Sequence, residues 1–234
     1  RRIKSYTKSV DDWMIPEIAE KNAKIRDLYN ELSLTLNRNW SLQFRLYNNG
    51  WAYRFIGNKE GPFLIYDEPF TIAFEAGDSL LGMPEKGFHT AYENPYAATV
   101  LTKDTVETLY SLPVLILKAS GERIWIGESG LENYPNLFLL KNLKGQLESR
   151  FPRRPLEERF DGNAYGHGQV KTNHEDLAKI EGPMTFPWRV FGYASSDKEL
   201  LSNQLVYQLA PDCRIEDPSW IEPGWVILDW WARR

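Results

Sequence analysis

The sequence offers 32 carboxylates, three histidines and a single cysteine as groups able to move protons, hold a metal or attack an electrophile. Two carboxyl groups set across a bond can divide the roles of acid and base, and the many acidic residues, mixed along the chain, tempt one to choose a pair. His89, His167 and His174 show no metal-ligand spacing among them and read as solvated loop histidines. Glu128 follows the apolar run Ile124 to Gly127, which places it where a strand ends and a loop begins. From its surroundings alone it reads as an ordinary solvated glutamate, and Glu132, four residues on, as a surface charge.

Composition limits what these groups can serve. A net charge of −4 from 28 basic and 32 acidic residues leaves no polybasic patch, which makes nucleic acid and an anionic membrane surface poor guesses as partners. No apolar run is long enough to span a bilayer, and no basic-then-apolar leader stands at the start. The chain opens on Arg1, so we expect its natural start, with any signal peptide, to have been removed. Cys213 has no internal partner and leaves the redox compartment open. Aromatic residues make up 14% of the chain and suit pleated, half-buried surfaces.

The elements expected to position the charged groups are strands. Leu42 to Tyr47 and Trp51 to Phe55 alternate on either side of Asn48-Asn49-Gly50, whose residues tolerate positive φ, so they form a hairpin. Short runs follow at 63–66, 70–74, 97–101, 113–118, 124–127, 137–140, 146–151, 185–191, 204–209 and 225–228, parted by Gly, Pro, Asn and Asp. Ser195-Ser196 before Asp197 caps one short helix. Glu17 to Arg26 fits helix and strand about equally. Arg150 to Glu181, with Pro152, Pro155 and several glycines, reads as a long surface loop. No strand-helix alternation is present, so the fold class is all-β, with few short helices.

Several segments, taken in order, carry a resemblance over nearly the whole chain: Ile25 to Leu32, Phe44 to Phe55, Tyr92 to Tyr96, Leu112 to Leu115, Ile126 to Pro135, Pro187 to Val190, Leu209 to Cys213 and Ile215 to Gly224. Together they resemble the N-terminal domain of glycoside hydrolase family 97. Ser129-Gly130 and Leu228 depart from that pattern, where the family tends to have Ala-Asp and Trp.

The resemblance implies an antiparallel β-super-sandwich, galactose-mutarotase-like, over residues 1–224, possibly without its first strands. It implies that 225–234, ending near Asp229-Trp230-Trp231, begins a (β/α)8 catalytic barrel. It further implies a calcium-dependent exo-acting α-glycosidase, an α-glucosidase or α-galactosidase, whose substrate is an α-linked oligosaccharide and whose carboxylate pair sits in the barrel, so we assign no catalytic acid, base or nucleophile to this chain. The partners are then that substrate and the chain's own barrel, and the location is periplasmic or secreted. In such an enzyme this domain caps the barrel mouth and lends one glutamate to calcium; Glu128 is the candidate, Glu132 the fallback. Calcium is a hard cation that takes carboxylate and carbonyl oxygens, and a strand end holds such a ligand better than a loop tip. Tyr134 and Pro135 would line the pocket rim or anchor the loop. Trp188, Trp220, Trp225, Trp230 and Trp231 would fill the sandwich-barrel interface rather than stack on sugar. Two other readings compete: a carbohydrate-binding or scaffold module without activity, and an aldose epimerase, which the scarcity of histidine disfavours.

Overall fold

The computed structural model describes residues 3–18, 20–160, 168–222 and 224. Its strands are β1 (Lys4–Met14), β2 (Ile25–Asn37), β3 (Trp40–Tyr47), β4 (Gly50–Gly57), β5 (Phe63–Ile65), β6 (Thr71–Ile72), β7 (Ser79–Glu85), β8 (Ala97–Val100) and β9 (Thr108–Leu117). They continue with β10 (Arg123–Ser129), β11 (Phe138–Lys141), β12 (Leu147–Arg150), β13 (Pro155–Phe160), β14 (Gly168–Asn173), β15 (Ala178–Ile180), β16 (Met184–Thr185) and β17 (Trp188–Ala194), then the helices α1 (Asp197–Leu200) and α2 (Leu205–Leu209). Every pairing among the described strands is antiparallel. The main path runs β1-β2-β3-β4-β17-β10-β9-β11-β12-β6, with β7, β8 and β16 branching from it.

The expected hairpin is β3 and β4, with Tyr47 opposite Gly50 and Asn48-Asn49 as its two-residue turn. Alternation along β4 sends Tyr53 and Phe55 to one face and Ala52 and Arg54 to the other. On the first face Trp51 stacks on Phe191 of β17, with ring centres 4.1 Å apart. That face carries the main core, closed over by β5, β15, Tyr134, Phe186 and the strands β11 and β12. The second face carries a smaller cluster of Ala52, Trp188 and Val190 under Leu205 and Leu209 of α2.

Four expectations change. Residues 204–209, read as a strand, form α2: Leu205 and Leu209, four apart, are both buried while Val206 and Tyr207 stay exposed, so helical spacing buries what alternation would not. The long loop of 150–181 contains β13, β14 and β15. The β13 side chains are exposed throughout, so this hairpin lacks the apolar alternation by which strands are recognised. Glu17 to Arg26 is not helical where described; β2 opens at Ile25 and pairs with β1 from Met14↔Ile25 to Lys4↔Thr35, so ladder bonds replace helical ones. β1 and β7 had no counterpart in the sequence reading. The helix after Ser195-Ser196 is present, with Ser196 Oγ accepting from Glu199 N–H. The strand expected at 225–228, the barrel start at Asp229 to Trp231, and His167 lie outside the described residues.

Candidate functional site

β10 and β17 pair so that Glu128 stands directly opposite Arg189. Alternation puts Ile124, Ile126 and Glu128 on the face that also carries Arg189 and Phe191, and near the strand end the apolar core gives way to charge. Arg189 is fully buried. Its Nε donates to Glu68 Oε1 at 2.8 Å and its Nη2 to Glu68 Oε2 at 2.6 Å, a two-toothed pair reached across 121 residues of sequence. Its Nη1 donates to Glu128 Oε2, while Glu128 Oε1 accepts from the Leu137 backbone N–H at 3.0 Å. The guanidinium lies 5.1 Å from the Phe151 ring centre and 5.7 Å from that of Tyr134.

Two carboxylates thus share one cation in a buried place. Burial disfavours the charged Arg189, yet Glu68 and Glu128 outweigh it and hold the guanidinium above its ordinary range. Glu68 takes the two-toothed share of that charge. For Glu128, burial dominates, helped by Glu68 and opposed by Arg189, and its carboxyl is pushed from 4.5 up to about 7. Because the folded state then holds this proton more tightly than the unfolded chain, the group makes stability fall as pH rises from about 4.5 through about 7. In calcium-free buffer the Glu128→Gln variant should lose that decline, which urea titrations at stepped pH across the window will read; parallel curves for both proteins would refute it.

Glu132 is exposed and pairs with Arg214 at 2.9 Å, outside this cluster. Tyr134 packs as a loop anchor, buried edge-on to Phe186 at 5.2 Å and to Phe151 at 6.0 Å. Trp188, expected at a domain junction, is 2% exposed inside the small cluster under α2, because its side of β17 faces Leu205 and Leu209. Trp220 is exposed, and Trp225, Trp230 and Trp231 lie outside the described residues. Among the described residues no three His, Cys, Asp or Glu side chains gather closely enough to hold a metal. In the Tyr92 to Tyr96 segment, Asn94 Nδ2 donates to the buried Glu85 at 3.0 Å, which gives that stretch a structural role.

Sequence reasoning missed Glu68 and Arg189. A signal for Arg189 existed: a cation inside the otherwise apolar run Trp188 to Phe191 has to be paired when that run is buried. Beside Glu68 an apolar cleft of about 910 Å³ is lined by rings such as Trp40, Tyr53, Phe55 and Phe70, which offer a polar ligand few partners.

Comparison with known proteins bears on this arrangement. The family model for the glycosyl-hydrolase 97 N-terminal domain matches residues 2–211. A retaining alpha-galactosidase of Bacteroides thetaiotaomicron is 34% identical over 242 residues, a match covering 96% of this chain and 35% of that protein. A glycoside hydrolase family 97 enzyme from Pseudoalteromonas sp. strain K8, solved with acarbose, superposes with a TM-score of 0.74 at 18% identity, covering 94% of this chain and 32% of that one. A beta-arabinopyranosidase follows at a TM-score of 0.59 and 15% identity, over 83% of this chain and 32% of its own. The chain spans about a third of the length of these relatives. Its matched residues, antiparallel fold and order of elements make it a member of the glycosyl-hydrolase 97 N-terminal domain family.

Proposed function

We propose that this chain is the N-terminal domain of a calcium-dependent, exo-acting α-glycosidase that hydrolyses α-linked oligosaccharides, where it caps the active site of a catalytic barrel and supplies Glu128 as a calcium ligand. The 34% identity to a retaining alpha-galactosidase favours an α-galactoside over an α-glucoside substrate. A periplasmic or secreted location belongs to the same proposal and rests on the family resemblance alone.

The observation that carries the calcium role is the charge imbalance at the end of β10. Glu68 and Glu128 together exceed Arg189 by one negative charge, which either a proton or a nearby cation can offset. Glu128 keeps lone pairs beyond those used by Arg189 and the Leu137 N–H. Calcium takes six to eight oxygens, so this chain would supply one ligand and the rest of the polypeptide the others. When bound, the ion would be the largest local charge in the site and would hold Glu128 ionised. Arg189 orients the carboxylate from beneath, and the Leu137 N–H fixes its second oxygen.

The test is Glu128→Gln in the full-length polypeptide, stripped with a chelator and titrated with calcium while nitrophenyl α-galactoside hydrolysis is followed. The calcium needed for half-maximal activity should rise by about tenfold or more, since one charged ligand is lost, with the circular dichroism unchanged. Wild-type calcium dependence would remove Glu128 from the ligand set.

A further inference from the structure

Glu68 lies between β5 and β6, in a stretch that β12 holds on either side of Pro69. The Ser149 hydroxyl donates to the Glu68 carbonyl at 2.9 Å and accepts from the Phe70 N–H at 2.9 Å, while the Ser149 N–H donates to the Phe70 carbonyl at 3.0 Å. Ser149 and Glu68 are both buried. Pro69, between the two anchored residues, limits the backbone further. The carboxylate of Glu68 therefore reaches Arg189 from a fixed base.

Its effect follows from the edge of the guanidinium that it covers. Glu68 Oε1 and Oε2 accept from Arg189 Nε and Nη2, which leaves Nη1 as the donor that meets Glu128 Oε2. Glu128 is thus held end on through one oxygen, and its other oxygen is fixed by the Leu137 N–H. Among the described residues Arg189 is paired with these two carboxylates alone. If Glu68 lost its charge, the freed donors Nε and Nη2 would have Glu128 as their remaining carboxylate, and a buried guanidinium left without a partner is costly. A two-toothed pair between Arg189 and Glu128 would engage both Glu128 oxygens and cancel its charge, leaving little for a cation.

We propose that Glu68 is a positioning residue for calcium: by occupying the Nε edge of Arg189 it keeps Glu128 from a two-toothed pair with that arginine and leaves its carboxylate available to the ion. This inference rests on the reading of Glu128 as a calcium ligand and adds to it a residue acting one step away. Both Glu68 oxygens already belong to Arg189, so Glu68 works through the arginine. Partners that orient a ligand from behind tune metal affinity nearly as strongly as the ligands do.

The test is isothermal titration of calcium chloride into the chelator-stripped full-length polypeptide, with scanning calorimetry of each stripped variant to show that it is folded. Glu68→Gln, which keeps the shape and loses the charge, should raise the calcium Kd by about 10- to 100-fold. Glu68→Asp keeps the charge on a shorter arm, and its Kd should fall between those of wild type and Glu68→Gln. A packing role gives the reverse order, since Gln fills the space of Glu and Asp leaves a void. That order overturns the proposal, and so does a wild-type Kd in Glu68→Gln. If Glu68→Gln does not fold, Glu68→Asp is read alone against wild type: a raised Kd supports the proposal and an unchanged one overturns it. Glu128→Gln, titrated in parallel, separates the two claims. Weakened binding in Glu128→Gln beside unaffected binding in Glu68→Gln removes the positioning role alone, whereas a wild-type Kd in Glu128→Gln removes the ligand reading and the positioning role with it.

Discussion

Arg189→Met lowers the stability of this domain by about 3–5 kcal/mol, the usual cost of removing one partner from a buried ion pair. The guanidinium is fully buried and carries three charge-assisted contacts, two to Glu68 and one to Glu128. Methionine fills much of its volume and cancels none of the charge, so two carboxylates remain side by side in a site lined by Tyr134 and Phe151. For a domain of this size the loss corresponds to a fall in Tm of roughly 6–20 °C. Adding Glu68→Gln and Glu128→Gln to Arg189→Met should recover much of it, since the uncompensated charge is the main cost and not the lost volume. Scanning calorimetry of the single and triple variants checks both statements; an unchanged Tm in Arg189→Met would show that the cluster is dispensable for stability.

Gly50→Ala is the second large effect, and its cause is geometric. Gly50 closes the β3–β4 hairpin with φ +146°, a conformation that side-chain-bearing residues avoid, and a Cβ there would lie 2.3 Å from the Phe191 carbonyl oxygen and 2.6 Å from Leu205 Cδ1. The first obstacle is backbone of the neighbouring strand β17 and cannot swing aside. Strain at such a φ costs about 1–3 kcal/mol, and forcing an extra carbon into a packed spot costs a further 1–3 kcal/mol or so. β17 would be pushed from β4 just where Gly192 pairs with Gly50, and α2 would lift from the small cluster. A urea midpoint within error of wild type would show that the strands part without cost. Asn49→Ala, one residue earlier at the tip of the turn, serves as the control and should cost far less.

The parts of this fold that could be read from the sequence are those whose determinants are local. Asn48-Asn49-Gly50 between two alternating runs specifies a hairpin because turn chemistry and side-chain period agree within fourteen residues, Leu42 to Phe55. Ser196 announces α1 because its hydroxyl accepts the Glu199 N–H three residues on. The helix α2 was misread because its apolar residues satisfy a strand pattern as well as a helical one, and only Trp188 and Val190 beneath it decide between them. The hairpin of β13 and β14 was invisible because it buries almost nothing and so imposes no apolar period. The same limit applies to the charged cluster. Glu128 could be placed at a strand end, but its partner Arg189 lies 61 residues away and Glu68 comes from a third segment; only register across the assembled sheet brings them together.

The pairing of β4 with β17 also constrains how the chain reaches this state. β1 to β4 form a meander of neighbouring strands that can assemble as soon as they are available, whereas the strand completing their ladder begins at Trp188. Contacts so distant in sequence make for slow, high-contact-order folding. During synthesis the meander therefore waits with Trp51 and Tyr53 uncovered until more than a hundred further residues have been made, an interval in which a chaperone has an apolar ledge to hold and a neighbouring nascent chain has one to stick to.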